Sequence, residues 1–94
     1  MSIIKWIYKP CGNCPVQSEG WFLDTTYFYF RSRGAHATIE FAGSEELWEK
    51  DIIEKSYVLK TTKLYKAGWL SHRYCKWLIY KGCLMYLLNF KSKK

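Results

Sequence analysis

Tyr27-Phe28-Tyr29-Phe30-Arg31-Ser32-Arg33-Gly34 is the stretch that decides the fold. Side chains alternate across a strand with period two. Phe28, Phe30 and Ser32 therefore share one face, and Tyr27, Tyr29, Arg31 and Arg33 share the other. The first set is core in character. The second set, two phenols followed by two guanidiniums, suits stacking on flat rings and gripping phosphate or carboxylate oxygens.

The turns on either side set the register. Gly34-Ala35 is a Gly-first pair suited to a type II′ hairpin. It places Ile39 opposite Phe30, Phe41 opposite Phe28, Thr38 opposite Arg31, His36 opposite Arg33 and Glu40 opposite Tyr29. On the N-terminal side, 16–23 reads as a strand and Asp24-Thr25-Thr26 as a turn. With Thr25-Thr26 as the loop, Leu23 faces Phe28, Trp21 faces Phe30, Phe22 faces Tyr29 and Gly20 faces Arg31. A three-stranded meander results. One face carries Trp21, Leu23, Phe28, Phe30, Ala37, Ile39 and Phe41. The other carries Ser18, Gly20, Phe22, Tyr27, Tyr29, Arg31, Arg33, His36, Thr38 and Glu40, with a shallow gap at Gly20.

Residues 2–8 suggest a short N-terminal strand, and Lys9 through Pro15 a turn, because two prolines and a Gly-Asn pair oppose regular structure. Ser44-Glu45-Glu46-Leu47-Trp48 reads as a capped helical turn with Ser44 as N-cap and carboxylates in the first turn. Tyr57-Val58-Leu59 suits a further strand, and 60–66 a loop. Ser71 is a reasonable N-cap for a helix to Tyr80 or beyond, with Leu70 stapled against Cys75. This helix is the natural cover for the Phe28/Phe30 face. From 74 to 90 the apolar residues run nearly all round. Gly82 leaves two options: one long helix, or a helix ending near Lys81 followed by a strand over 83–90. The all-round pattern favours one helix that buries a second face in an oligomer. The expected fold is thus α+β in one domain, 1–94: a three- to four-stranded antiparallel β-meander covered by a C-terminal helix.

Composition narrows the function classes. The 94 residues include 15 Lys plus Arg against 8 Asp plus Glu, a formal net charge of +7. That balance favours anionic partners. Lys91, Lys93 and Lys94 are tail residues, so the body is less basic than the total. Five Trp, eight Tyr and five Phe are more rings than so small a core needs, which points to an interface or binding surface. No run approaches the ~20 apolar residues of a membrane-spanning helix. No signal-peptide pattern opens the chain, so a reduced, cytoplasmic setting is expected.

Arg31 and Arg33 are the first candidates for anion binding, with Tyr27, Tyr29 and Phe22 as stackers and His36 beside them. The plainer alternative pairs Arg31 and Arg33 with Glu40 and Glu19 across strands. Trp69, His72 and Arg73 are added if a site forms between subunits, since a helix N-terminus at Ser71 favours an anion. Cys11-x-x-Cys14 is half a zinc site, and His72-x-x-Cys75 would complete a Cys₃His set. Nothing in the sequence brings these two halves together, so turn cysteines packed on the sheet are the favoured reading and no metal or cofactor is expected. No Gly-x-Ser-x-Gly, Walker loop or carboxylate pair is present. An enzyme is not expected; a minimal nuclease or phosphodiesterase on His36, Glu40 and Arg31 is the form one would take.

Cys14-Pro15-Val16-Gln17-Ser18-Glu19-Gly20, Phe28-Tyr29-Phe30-Arg31-Ser32-Arg33-Gly34 and Ala67-Gly68-Trp69-Leu70 resemble, in order, a set of small bacterial and phage proteins whose patterns run CPVQAEG, FYFRARG and AGWM. Ser32 stands where the family has Ala, and a Trp-Phe-Leu-Asp loop where it has a glycine-containing turn. Most members have no assigned function. The chain also looks like the phage anti-CBASS sponge proteins, and its excess of Lys over Arg suits an AT-rich phage or host. That resemblance implies a non-enzymatic homo-oligomer, dimer or tetramer, with cyclic dinucleotides bound between subunits in the host cytoplasm. The alternative is a basic inhibitor of nucleic acid or protein, similar to anti-CRISPR modules.

Overall fold

A computed structural model describes residues 3–12, 15–62 and 70–91. Five strands and two helices follow in the order β1 (Ile4–Cys11), β2 (Val16–Phe22), β3 (Thr26–Arg33), β4 (His36–Ala42), α1 (Glu45–Glu49), β5 (Lys55–Thr61) and α2 (His72–Leu87). The strands form one antiparallel meander, β1-β2-β3-β4-β5. The sheet therefore has five strands rather than three or four, because the N-terminal segment and residues 55–61 both join it. β1 runs through Pro10 to Cys11, where a turn was expected. Proline lacks a ladder donor and is tolerated on an edge strand, and β1 is an edge. Its pairing with β2 slips between Trp6 and Tyr8 and again between Tyr8 and Cys11. The first slip sets Tyr8 opposite Glu19.

The β3–β4 hairpin has the expected register, with Phe30 opposite Ile39, Phe28 opposite Phe41 and Arg33 opposite His36. Gly34 supplies the left-handed backbone at φ 61°. The β2–β3 register differs. Phe22 pairs with Thr26, Trp21 with Tyr27, Gly20 with Phe28 and Gln17 with Arg31. The connection is Leu23-Asp24-Thr25, and Leu23 and Asp24 both take left-handed conformations at φ 56° and 60°. Relative to the expected pairing, β2 is displaced by three positions. An odd displacement exchanges the two faces of a strand. Phe22, Gly20 and Ser18 therefore enter the core, and Trp21 leaves it for the opposite face.

The core lies between the sheet and α2. Val16, Phe22, Phe28, Phe30, Ile39, Phe41, Tyr57 and Leu59 meet Cys75, Leu78, Ile79 and Cys83. Fully burying an aliphatic or phenyl side chain contributes ~1.5–3 kcal/mol each. Gly20 is not a gap: a Cβ there would lie 2.7 Å from the Lys5 carbonyl and 2.8 Å from the Phe28 ring. α2 passes through Gly82 as one helix, so the strand option for 83–90 falls away. Ser71 caps its start by accepting from the Tyr74 N–H at 3.1 Å. Its end closes on Asn89, at φ 61°, with Phe90 N–H donating to Met85 and Asn89 N–H to Tyr86. Those two bonds form a Schellman motif. Among the described residues no helix is long and apolar enough to cross a membrane.

Candidate functional site

The sheet face turned away from α2 has two ends of different chemistry. At one end α1 holds an aromatic cluster in place. Ser44 caps α1 by accepting the Leu47 N–H at 3.1 Å. Asp51, at φ 59°, ends it with a second Schellman pair, Ile52 N–H to Leu47 and Asp51 N–H to Trp48. The short helix thereby sets Trp48 against the sheet. Its ring lies 4.6 Å from Tyr29 and 5.8 Å from Tyr27, centroid to centroid. Trp21 approaches Tyr27 edge-on at 5.8 Å.

The two carboxylates of this face are held by that cluster. Glu19 accepts a hydrogen bond from the Tyr27 phenol. Tyr8 sits opposite Glu19 in the β1–β2 pairing. Burial and the adjacent Glu19 charge push both phenols well above the ordinary tyrosine value. Glu40 accepts from the Trp48 indole N–H at 3.1 Å. The Gln17 amide donates to the Tyr29 hydroxyl at 2.7 Å.

At the other end Arg31, Arg33, Gly34, Ala35, His36 and Thr38 line an open hollow of about 520 Å³. The tight β3–β4 turn brings these residues together. Arg31 and Thr38 are half-buried, while Arg33 and His36 are exposed. Among the described residues neither arginine forms an ion pair with a carboxylate: Glu19 accepts from the Tyr27 phenol and Glu40 from the indole instead. The cross-strand pairing considered as the plainer alternative is not formed. The Arg31 Nε is buried and has no hydrogen-bond partner among the described residues. Leaving such a donor unsatisfied costs ~1–3 kcal/mol, and more when it is charged. Thr38 Oγ1 donates to the Arg31 carbonyl at 3.4 Å, and His36 Nδ1 lies 3.3 Å from Thr61 Oγ1.

Arg31, Arg33 and His36 thus share one concavity, as their strand positions imply. The stackers are placed differently. Tyr27 is fully buried beneath Trp48 and Trp21 and offers no free ring face. Tyr29 is half-buried under Trp48. Phe22 is in the core. The signal missed in the sequence is Trp48, a single large ring in a five-residue helix that follows the meander.

His72 and Arg73 open α2 and are exposed, on the opposite side of the sheet from the hollow. His72 Nε2 donates to the Gly12 carbonyl at 2.7 Å. The helix start therefore does sit beside the β1–β2 connection. The zinc set is still not assembled there among the described residues. Cys75 points into the core, where burial raises its thiol to about 11, against the thiolate a metal needs. Cys11 is exposed. Cys14 and Trp69 lie outside the described residues, as does most of the loop expected over 60–66. No group of three or more metal-ligating side chains occurs among the described residues.

Comparison with protein-family models, with curated proteins and with solved structures gives no match to this chain.

Proposed function

We propose that this chain is a non-enzymatic binding protein that takes up a small phosphate-bearing ligand, of the cyclic dinucleotide class, in the Arg31/Arg33/His36 hollow and sequesters it. The observation that carries the proposal is the pair of guanidiniums that, among the described residues, have no carboxylate partner and share one concavity, one of them with its Nε unsatisfied. Phosphate oxygens would bond the Arg31 guanidinium where it lines the hollow, and Arg33 would add a bidentate grip from the rim. Hollows of ~300–1,000 Å³ suit ligands of this size. The planar guanidiniums and His36, rather than Tyr27, would supply the flat surfaces for the bases. The chain's resemblance to phage sponge proteins supports the same reading. Acting in a host cytoplasm, such a decoy works by mass action: protein in excess lowers free signal below what its receptor requires.

The test is a calorimetric titration with a panel of cyclic dinucleotides and trinucleotides, followed by heat denaturation and identification of the released nucleotide. Tight binding, intact recovery and loss of binding in Arg31→Ala are the expected results. A hydrolysed product would move the protein to the phosphodiesterase class. The exposure of Arg33 and His36 at an open rim favours one second reading, a nucleic-acid contact surface. Salt separates the two, because a polymer that releases many counterions loses affinity steeply as salt rises.

A further inference from the structure

α2 is apolar on both of its sides. Cys75, Leu78, Ile79 and Cys83 face the sheet. On the solvent side, Trp77, Tyr80, Leu84 and Leu87 recur at spacings of three, four and three residues. That is the spacing of a coiled-coil seam. Their exposures are 57%, 41%, 54% and 60%. Ile3, 57% exposed, extends the patch from the start of β1, since it lines a shallow apolar groove with Tyr80, Leu84 and Leu87. Leu88, 60% exposed, widens it on the other side. Helices with apolar residues all round are normally covered on all sides.

The area indicates what covers it. From these fractional exposures the six residues present on the order of 700 Å², more than the largest apolar patch of a typical monomer and close to the ~800 Å² per partner of a standard interface. A three-four-three seam is complementary to a second copy of itself in antiparallel array, where the Trp77 end of one helix meets the Leu87 end of the other.

We infer that the outer face of α2 is a self-association surface, occupied by α2 of a second copy of this chain. The consequence for ligand binding is specific. α2 and the Arg31/Arg33 hollow lie on opposite sides of the sheet, so a dimer built on α2 turns both hollows outward. Each protomer then carries its own complete hollow, and the ligand does not bridge this interface. The inference does not depend on the identity of the ligand.

Charge supplies a second signature. Arg73, Lys76 and Lys81 flank the seam, and α2 carries no acidic residue. Two copies oppose like charges at the margin, so rising salt tightens the dimer by screening. An acidic partner or an anionic membrane would show the reverse.

Sedimentation equilibrium of the full chain, without ligand, tests this. The expected result is a dimer whose affinity rises with salt. Leu84→Lys and Leu87→Lys should each weaken association by at least ~100-fold, because each buries two cations at a seam already flanked by Arg73, Lys76 and Lys81 of both copies. Both variants should keep the wild-type circular dichroism spectrum. Val58→Glu, at an exposed position on the sheet face turned away from α2, should leave the dimer intact. A chain that stays monomeric at high micromolar concentration overturns the inference, and co-sedimentation with anionic vesicles would then assign the face to a lipid surface. A dimer unaffected by Leu84→Lys and Leu87→Lys, or weakened by salt, overturns it as well. Nucleotide binding to a monomeric wild type would sink this inference while leaving the ligand reading standing.

Discussion

Replacing Gly82 with alanine sets two effects of opposite sign against each other. In a helix interior alanine is favoured over glycine by ~0.8–1.0 kcal/mol. On that ground alone the substitution stabilises. The packing of α2 on the sheet opposes it. A Cβ at Gly82 would lie 2.8 Å from Ile39 Cγ2 and 3.3 Å from both Leu59 methyls. Ile39 is fully buried and Leu59 nearly so, and neither has open space to move into. Forcing an extra methyl into such a contact costs ~1–3 kcal/mol. The net expectation is a loss of ~1 kcal/mol, read as a fall of ~4–8 °C in melting temperature for a domain of this size. Denaturant melts of Gly82→Ala, Ile39→Ala and the double variant supply a cycle. Removing the Ile39 methyls should let alanine at 82 become neutral or stabilising, a coupling that neighbours in contact show and distant sites do not. A Gly82→Ala chain about 1 kcal/mol more stable than the parent would show that the helix does not press on the sheet at this point, and would refute the close approach described above.

Three further outcomes follow from the geometry. Burial raises the thiols of Cys75 and Cys83 to about 11 and about 12, so both should resist alkylation at neutral pH in the native state and react after denaturation, as located by mass spectrometry. The phenols of Tyr8, Tyr27, Tyr57 and Tyr86 are all raised above the ordinary value of 10.0. A group with a raised folded-state pKa gives stability that is complete below its unfolded value and is lost above it, so thermal stability should begin to fall as pH approaches ~9, where the Cys75 and Cys83 thiols ionise in the unfolded chain, and should fall more steeply beyond ~10, where the phenols follow. Tyr27→Phe should lower stability by ~1 kcal/mol through loss of the Glu19 hydrogen bond, with nucleotide affinity unchanged. Arg31→Ala should do the reverse, abolishing binding with little loss of stability; equal loss of binding in both variants would contradict the burial of Tyr27.

Different parts of the molecule were legible in the sequence to different degrees, for physical reasons. The β3–β4 hairpin could be read in register because Gly34 announces its left-handed turn. The β2–β3 hairpin could not, because its left-handed positions are Leu23 and Asp24, and a leucine there gives no turn signal. That one connection decided whether Trp21 or Phe22 entered the core. Pro10 suggested a turn, yet β1 lies at the sheet edge, where a missing N–H is tolerated. The ambiguity at Gly82 was genuine at sequence level, and its resolution is tertiary: the glycine is the space that Ile39 and Leu59 occupy. Period two was enough to put Arg31, Arg33 and His36 on one face. It could not show that α1 folds back and lays Trp48 over Tyr27 and Tyr29, since that contact joins residues some twenty positions apart through a turn and a strand. Glu40 takes the indole N–H and Glu19 the Tyr27 phenol, and among the described residues the arginines are left without carboxylates.

The claim that the Arg31/Arg33/His36 hollow is the ligand site is tested most directly by amide chemical-shift mapping. The full chain, labelled with nitrogen-15, would be titrated with cyclic di-AMP, cyclic di-GMP and cyclic GMP–AMP. Saturable shifts concentrated at Arg31, Arg33, Gly34, Ala35, His36 and Thr38 are expected for at least one of them, with α2 unmoved. Shifts centred on α2 or on the exposed face of β1, or no shifts with any of the three nucleotides, would contradict it.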